Sequence, residues 1–255
     1  MPERIVLVGL GGIGSQLLPS LVRYLAYRPE PRPMLVLLDG DAYEPANRTR
    51  QVFPESAIGS NKASALAEVH RGLTVQAVAD YLTEANVATV IRDGDIVLLA
   101  VDNHWTRFVV DRHLATLDEV TLISGGNDKT DGNVQLVRRR NGGFIDGSLT
   151  DIHAEIGRAT EAEFAARNGC ERQVAERPQL VVTNLMVASA MLNCLWAVLE
   201  RGSVSYSEVY LDVIANAMRS RSWLRGRGSH WRRAVPTEVR TWPGRRHAAL
   251  PGQSI

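Results

Sequence analysis

The sequence is poor in cysteine, because Cys170 and Cys194 are the only two in 255 residues. Two thiols cannot form the disulfide framework of a small secreted domain or a four-thiolate zinc site. The sequence therefore predicts no structural zinc. Cys194 lies in an apolar stretch, so we expect it in the protein core. So few thiols are compatible with a reducing cytoplasm.

Signals for export and membrane insertion are also scarce. Residues Met1 to Arg4 run directly into a strand-like segment, without the basic and apolar regions of a signal peptide. The longest apolar stretch, 180–199, is interrupted by polar side chains, which are costlier to bury in lipid than in protein. The interrupting residues are Thr183, Asn184, Ser189 and Asn193. We therefore expect a cytoplasmic protein without a membrane span.

Lysine is rare as well, so arginine carries nearly all the positive charge beside Lys62 and Lys129. The 29 basic and 28 acidic residues nearly cancel, which excludes polyanion binding through net charge. The charge is uneven, since residues 219–255 hold nine arginines and one acidic residue, a local charge of +8. A single α/β domain commonly reaches about 200 to 250 residues. We therefore predict one domain, 1–218, followed by an arginine- and tryptophan-rich tail, 219–255.

The tail has more than one reading. Its arginines are interleaved with Trp223, Trp231 and Trp242, and guanidinium groups bind phosphates while indoles stack on bases. Such a tail can equally bind an acidic protein partner or the acidic body of its own chain. Pro236 and Pro243 argue against one organised surface for nucleic acid. Nucleic acid is therefore the less favoured partner.

Short apolar runs alternate with helical patterns along the first 140 residues. Strands are predicted at 5–8, 34–38, 96–101, 120–124 and 135–138, and helices at 15–25 and 60–71. This alternation is typical of a doubly wound, mostly parallel α/β sheet of the Rossmann type. Beyond it, the sequence predicts a crossover loop with short helical pieces at 141–177, a helix at 179–199 that Gly202 ends, and a strand at 206–214.

A glycine-rich turn joins the first strand to the first helix, through Gly9, Gly11, Gly12 and Gly14. Glycines there let backbone amides approach phosphates, and the helix presents its positive N-terminal end to the same anion. Asp39, at the end of the second strand, suits a carboxylate that accepts hydrogen bonds from ribose hydroxyls. These features predict that about the first 140 residues form the nucleotide-binding part of the chain.

Further residues distinguish one nucleotide chemistry from another. They are Asn47, Arg50, Gln51, Gly59, Lys62, Asp102, Asn103 and Arg107. Phosphate transfer requires arginine and lysine to offset developing charge, whereas hydride transfer needs no cations beyond the pyrophosphate. Asp102, at the carboxyl end of its predicted strand, is placed to reach the nucleotide and to hold Mg²⁺.

This set of residues resembles the superfamily of ThiF, MoeB and ubiquitin-activating enzymes. The shared pattern is a GxGGxG turn, an Asp after the second strand, Asn-x-x-Arg-Gln eight residues later, Gly-x-x-Lys, and an Asp-Asn pair. The resemblance covers about the first 140 residues, and the joint occurrence is far more specific than the glycines alone. A weaker likeness to plasmid-encoded ThiF-like proteins continues through Cys170 and the long helix.

The resemblance implies an adenylyltransferase that joins AMP, taken from ATP, to the C-terminal carboxylate of a β-grasp, ubiquitin-like carrier protein. It implies that Asp39 binds ribose, that Arg50 and Lys62 bind phosphates, and that Asp102 holds Mg²⁺. The four glycines of the turn would bind the nucleotide as well. Asn47, Gln51 and Asn103 would shape its pocket. A homodimer is a further expectation from the family.

Two features depart from the family pattern. Many members carry an arginine before the first strand that reaches into the partner subunit's site, whereas only three residues precede Arg4 here. We therefore expect Arg48, or an arginine of the tail, to contact the γ-phosphate of ATP. The paired CxxC zinc motifs of several relatives are absent, which weakens the analogy to sulfur-transfer members. Cys170 is a candidate thioester nucleophile for the carrier, and the alternative is an incidental loop cysteine.

Three other functions remain open. A related enzyme of the same fold would activate a small carboxylate or act on tRNA, and the basic tail favours this. A non-catalytic nucleotide-binding scaffold is compatible with the missing N-terminal arginine. An NAD-linked oxidoreductase accounts for the glycines and Asp39 but leaves Arg50, Lys62 and Asp102 without a role.

Overall fold

A computed structural model describes residues 2–70, 73–168, 180–202, 204–225 and 231–233. Its strands are β1 Arg4–Val8, β2 Met34–Leu38, β3 Val75–Val78, β4 Ile96–Leu99, β5 Val120–Asn127, β6 Asp131–Arg140, β7 Gly143–Phe144, β8 Glu208–Asp212, β9 Ala217–Arg221, β10 Trp223–Arg225 and β11 Trp231–Arg233. Eight strands form one sheet in the order β3-β2-β1-β4-β5-β6-β8-β9, and β7 adds to β6. β10 and β11 pair separately.

Helices cover both faces of the sheet. They are α1 Gly12–Ala26, α2 Lys62–Val69, α3 Val87–Val90, α4 His104–Leu114, α5 Leu149–Ile152, α6 Glu161–Asn168 and α7 Val181–Arg201, with 3₁₀ turns at Pro45–Thr49, Glu55–Ala57 and Ile156–Arg158. One face buries Leu17 of α1 and Met191 of α7. The other buries Val109 of α4 together with Val90. The sheet is therefore the middle layer of three.

The five strands from β3 to β5 run parallel, and β6, β8 and β9 are antiparallel. β1 and β4 are almost entirely apolar because both of their faces are covered. At the β5–β6 hairpin, a Cβ on Gly125 would lie 2.4 Å from the Met191 sulfur. The absence of a side chain there lets α7 pack closely on the sheet. The predicted α/β fold with a doubly wound, mostly parallel sheet is confirmed.

Some elements differ from the sequence prediction. β3 was not predicted, because its residues are only partly buried at the sheet edge. α4 was not predicted either, because charged residues dilute its apolar pattern. β9 contains residue 218, where the predicted domain ends, so the main sheet continues into the arginine-rich segment. The division into a domain and a tail stays a prediction.

α7 is long and apolar enough to cross a membrane by length and composition. In this structure about half of that segment is buried within the protein, and Thr183 and Cys194 are inaccessible to solvent. Helices buried in a protein core can have the same length and apolar composition as a membrane span. The prediction that Cys194 lies in the core is confirmed.

Candidate functional site

The glycine turn after β1 has a shape that only glycine permits at two positions. Gly9 has a φ of +89°, and a Cβ there would lie 2.8 Å from the Ala100 carbonyl oxygen. A Cβ on Gly14 would lie 1.9 Å from the Gly9 carbonyl oxygen. These two residues therefore let β1, the first turn of α1 and the end of β4 approach each other.

Gly11 has a different role from Gly9 and Gly14. Among the described residues, no atom lies within 4 Å of a Cβ built on Gly11. It is the N-cap of α1, but no side chain caps the helix and no acidic residue occupies its first turn. Gly12 is the first residue of the helix. The amides at this end of α1 lie beside open space, where an anion binds most favourably.

Asp39 lies beside the turn, at the carboxyl end of β2. Its Oδ2 accepts a hydrogen bond from the Leu10 amide at 2.6 Å, and its Oδ1 accepts one from the Asp41 amide at 2.8 Å. Burial raises the pKa of Asp39, while the positive charge of Lys62 and the two amides oppose that shift. Each carboxylate oxygen keeps a further lone pair. The geometry therefore fits the predicted contacts with ribose hydroxyls.

The segment carrying Arg50 is bound to the first turn of α1. The Val52 amide donates to Ser15 Oγ at 3.1 Å, and the Gln16 side-chain amide donates to the Arg50 carbonyl at 3.4 Å. Within the described chain, the Arg50 guanidinium forms no ion pair. Arg50 is partly buried, and a guanidinium group can bind a phosphate through paired donors.

Asn47 and Gln51 lie in the same segment, and both are buried. Asn47 Oδ1 accepts from the Glu44 amide at 3.0 Å, so this side chain stabilises the 3₁₀ turn. Gln51 differs, because its buried Oε1 has no hydrogen-bond partner among the described residues. An unsatisfied buried acceptor is rare in a folded protein. Gln51 is therefore the stronger candidate for direct contact with a ligand.

Lys62 is not directed at open space. Its side chain is 4% exposed, and Nζ forms an ion pair with Asp41 Oδ2 at 2.9 Å. The preceding Asn61 caps α2 through the Ser64 amide and donates its own amide to the Asp39 carbonyl at 2.8 Å. The structure thus brings Lys62 to the end of β2, where Asp41 holds its ammonium group.

Asp102 and Asn103 follow β4 at the same edge of the sheet. Asn103 Oδ1 accepts from the Thr106 amide at 2.7 Å, so this residue caps α4. Arg107 of α4 donates to the Val101 carbonyl at 2.6 Å and to the Gly125 carbonyl at 2.8 Å. Burial lowers the pKa of Arg107 to about 10, and the charge of Asp102 opposes that shift. Arg107 therefore fixes the loop that carries Asp102.

The residues present fit a magnesium ion only if the nucleotide contributes ligands. Within the described chain there is no cluster of three or more His, Cys, Asp or Glu side chains able to hold a metal. Mg²⁺ bound with a nucleotide commonly uses one or two carboxylates, with phosphates and water completing its shell. Asp102 is a solvent-exposed carboxylate at the site and meets that requirement.

Arg48 pairs with a residue outside this arrangement. Arg48 is half exposed and pairs with Glu55 at 2.8 Å. Exposed pairs of this kind are weak, so a contact between Arg48 and the γ-phosphate stays a prediction. Cys170 lies outside the described residues, and its thioester role also stays a prediction.

Sequence reasoning left Asp41, Tyr81 and Arg107 without assigned roles. Tyr81 donates its hydroxyl to Asp41 Oδ1 at 2.5 Å. Asp41 had a usable signal, since it lies only two residues after Asp39 in the sequence. Tyr81 had no such sequence signal, because it follows β3, a strand that the apolar pattern did not predict.

Comparisons with known proteins concern the family and the fold of this chain. A model of the ThiF family matches residues 2–223. The SAMP-activating enzyme E1 of Haloferax volcanii is 31% identical over 137 residues, covering 52% of this chain and 48% of that protein. The adenylyltransferase and sulfurtransferase MOCS3 of Drosophila ananassae is 31% identical over 143 residues, covering 54% of this chain and 30% of that protein. This chain therefore spans half or less of these two relatives.

A solved structure supports the fold. The crystal structure of E. coli MccB with ATP superposes with a TM-score of 0.64 at 18% identity, covering 86% of this chain and 63% of that one. At this identity the likeness concerns the fold alone.

Proposed function

Because this chain belongs to the ThiF family, we propose that it is an adenylyltransferase that transfers AMP from ATP to a carboxylate. We propose further that this carboxylate is the C-terminus of a ubiquitin-like carrier protein. The similarity to a SAMP-activating enzyme and to MOCS3, an adenylyltransferase and sulfurtransferase, supports the reaction class. The proposed setting is a cytoplasmic homodimer.

The observation that carries the proposal is the open, uncapped N-terminus of α1 at Gly11. Arg50, which forms no ion pair with the described residues, lies in the segment bound to the first turn of this helix. Asp39 lies on one side of this opening and Asp102 follows the next strand of the sheet. Ligands of open α/β sheets bind at the carboxyl ends of the strands, where strand order reverses. Here that point is the crevice between β1 and β4. ATP fits it with its ribose at Asp39 and its phosphates at Gly11 and Arg50.

In the proposed reaction, a carboxylate oxygen attacks the α-phosphorus of ATP. A new bond forms between that oxygen and the phosphorus, while the bond to the bridging oxygen breaks and pyrophosphate leaves with its electron pair. Both reactants are anionic, so placing cations is the main task of the protein. Arg50 and, once released from Asp41, Lys62 would offset charge on the phosphates. Asp102 would hold Mg²⁺, which would neutralise phosphate charge when bound.

The test is exchange of radioactive pyrophosphate into ATP, measured with and without purified ubiquitin-like proteins. We expect exchange that depends on a carrier ending in a free carboxylate and is lost when the carrier's last residue is removed. Exchange that depends on a small carboxylate or on tRNA instead would support the related-enzyme alternative. Absence of exchange with all three substrate classes, although ATP binds, would support a nucleotide-binding scaffold and contradict the proposal.

A pair of arginine variants tests the role of the site. Arg50→Ala should reduce exchange at least about a hundredfold, because a charge that stabilises a transferring phosphate commonly contributes about 3 kcal/mol. Arg23→Ala is the matched control, since Arg23 lies exposed at the other end of α1. The control should exchange at the wild-type rate. Equal activity of the two variants would remove Arg50 from the mechanism.

A further inference from the structure

Tyr81 packs over the residues that surround Lys62. A Cβ on Gly40 would lie 2.6 Å from the Tyr81 ring, so the ring rests directly on the backbone of that glycine. Phe164 of α6 contacts the ring edge-on, with centroids 5.8 Å apart and planes at 87°. The ring is therefore held between the segment after β2 and α6.

The hydroxyl of Tyr81 is aimed at the carboxylate that binds Lys62. It donates to Asp41 Oδ1 at 2.5 Å, while Lys62 Nζ occupies Oδ2 of the same group at 2.9 Å. Burial raises the pKa of Tyr81, and the hydrogen bond to Asp41 adds to that rise, followed by the nearby charges of Asp41, Asp39 and Asp102. The phenol is thus kept protonated and remains a donor at neutral pH.

The arrangement connects three groups in a row, Tyr81, Asp41 and Lys62. Lys62 also lies close enough to influence the charge of Asp39, the proposed ribose contact. Lys62 Nζ binds one oxygen of Asp41, and any movement of the ammonium toward a phosphate weakens or breaks that ion pair. Hydrogen bonds to charged groups are stronger than those between neutral groups. The one from Tyr81 strengthens as Lys62 departs, because the carboxylate then has fewer competing donors.

We propose that Tyr81 is a positioning residue that stabilises Asp41 when Lys62 leaves it, and so allows Lys62 to bind the polyphosphate of ATP. The proposal rests on the proposed adenylyltransferase function. Tyr81 acts through Asp41 and touches no phosphate itself. Its hydroxyl is therefore important for ligands with a polyphosphate and unimportant for adenosine, which lacks the group that attracts Lys62.

The test measures the affinities of MgATP and adenosine by calorimetry for the intact protein and its Tyr81→Phe variant. We expect MgATP to bind about tenfold more weakly, equivalent to about 1.4 kcal/mol, and adenosine affinity to be unchanged. Tyr24→Phe is the matched control, since Tyr24 also donates to a carboxylate, Glu200 at 2.6 Å, at the far end of α1. The control should bind both ligands like the wild type.

A double-mutant cycle separates positioning from a general effect on the fold. In a Lys62→Ala background, Tyr81→Phe should no longer change MgATP affinity, because no ammonium remains to be released. An equal loss in both backgrounds would overturn the inference. So would weaker binding of adenosine by the single variant, or unchanged binding of MgATP. A wild-type protein that binds neither ligand would overturn the proposed function, and this inference with it.

Discussion

Alanine at two glycines of the turn should separate folding from ligand binding. Gly14→Ala places a Cβ 1.9 Å from the Gly9 carbonyl oxygen, whereas carbon and oxygen normally approach to about 3.3 Å. The Cβ is fixed directly to the backbone of residue 14 and meets a backbone oxygen, so rotating a side chain cannot relieve the clash. Overpacking commonly costs about 1 to 3 kcal/mol, and backbone clashes lie at the upper end. We expect Gly14→Ala to lose at least about 3 kcal/mol of unfolding free energy.

Gly11→Ala should behave in the opposite way. The new methyl group meets no described atom within 4 Å. Alanine is a poorer N-cap than glycine by about 1 kcal/mol, while the lower entropy of the unfolded chain returns about 0.4 to 1 kcal/mol. The net change in stability should stay within about 1 kcal/mol. Because the methyl group enters the space proposed for phosphates, MgATP should bind at least about tenfold more weakly.

Urea denaturation gives the unfolding free energy of each variant, and calorimetry gives the affinity for MgATP. Wild-type stability in Gly14→Ala would refute the packing of the turn. A folded Gly11→Ala protein that binds MgATP as tightly as the wild type would show that phosphates do not approach α1 at this point. Adenosine serves as the control ligand, since it lacks phosphates and should bind the Gly11→Ala variant normally.

Two further predictions concern Arg107 at the site and the ion pair between His153 and Glu208 of β8. Arg107→Ala should lower the unfolding free energy by about 3 kcal/mol, because the carbonyls of Val101 and Gly125 each lose a charged donor; urea denaturation with no change in stability would contradict this role. The hydrogen bond to Glu208 raises the pKa of His153 above its ordinary 6.5, against the opposing effect of burial. The stability it contributes should be complete below pH 6.5 and decline as pH rises through the higher folded value. An equal pH dependence of the unfolding free energy in wild type and His153→Gln would exclude this contribution of His153.

The parts of the fold that were predictable from sequence carry their signals locally. The turn at Gly9 to Gly14 and the apolar runs of β1, β2 and β4 are contiguous patterns, because strands buried on both faces need only consecutive apolar residues. β3 lacks such a run, since its edge position leaves its residues partly exposed. Tyr81 follows that strand and was therefore missed with it.

Residue roles were harder to predict than residue positions. Asp39 and Arg50 lie where the pattern placed them, beside the turn. Lys62 does as well, but its partner Asp41 is determined by packing, and sequence spacing does not reveal that ion pair. The link between His153 and Glu208 joins residues 55 positions apart on different elements. Long-range pairs of this kind depend on the tertiary fold and leave no periodic trace in the sequence.

The most direct test of the central claim is a crystal structure of the protein with MgATP. The account predicts the ribose at Asp39, the phosphates at the amide groups around Gly11, the Arg50 guanidinium and the Lys62 ammonium in contact with those phosphates, and Asp102 on the metal. Lys62 should then have left Asp41. A nucleotide bound elsewhere, or bound there with Arg50 and Lys62 both directed away from its phosphates, would contradict the account.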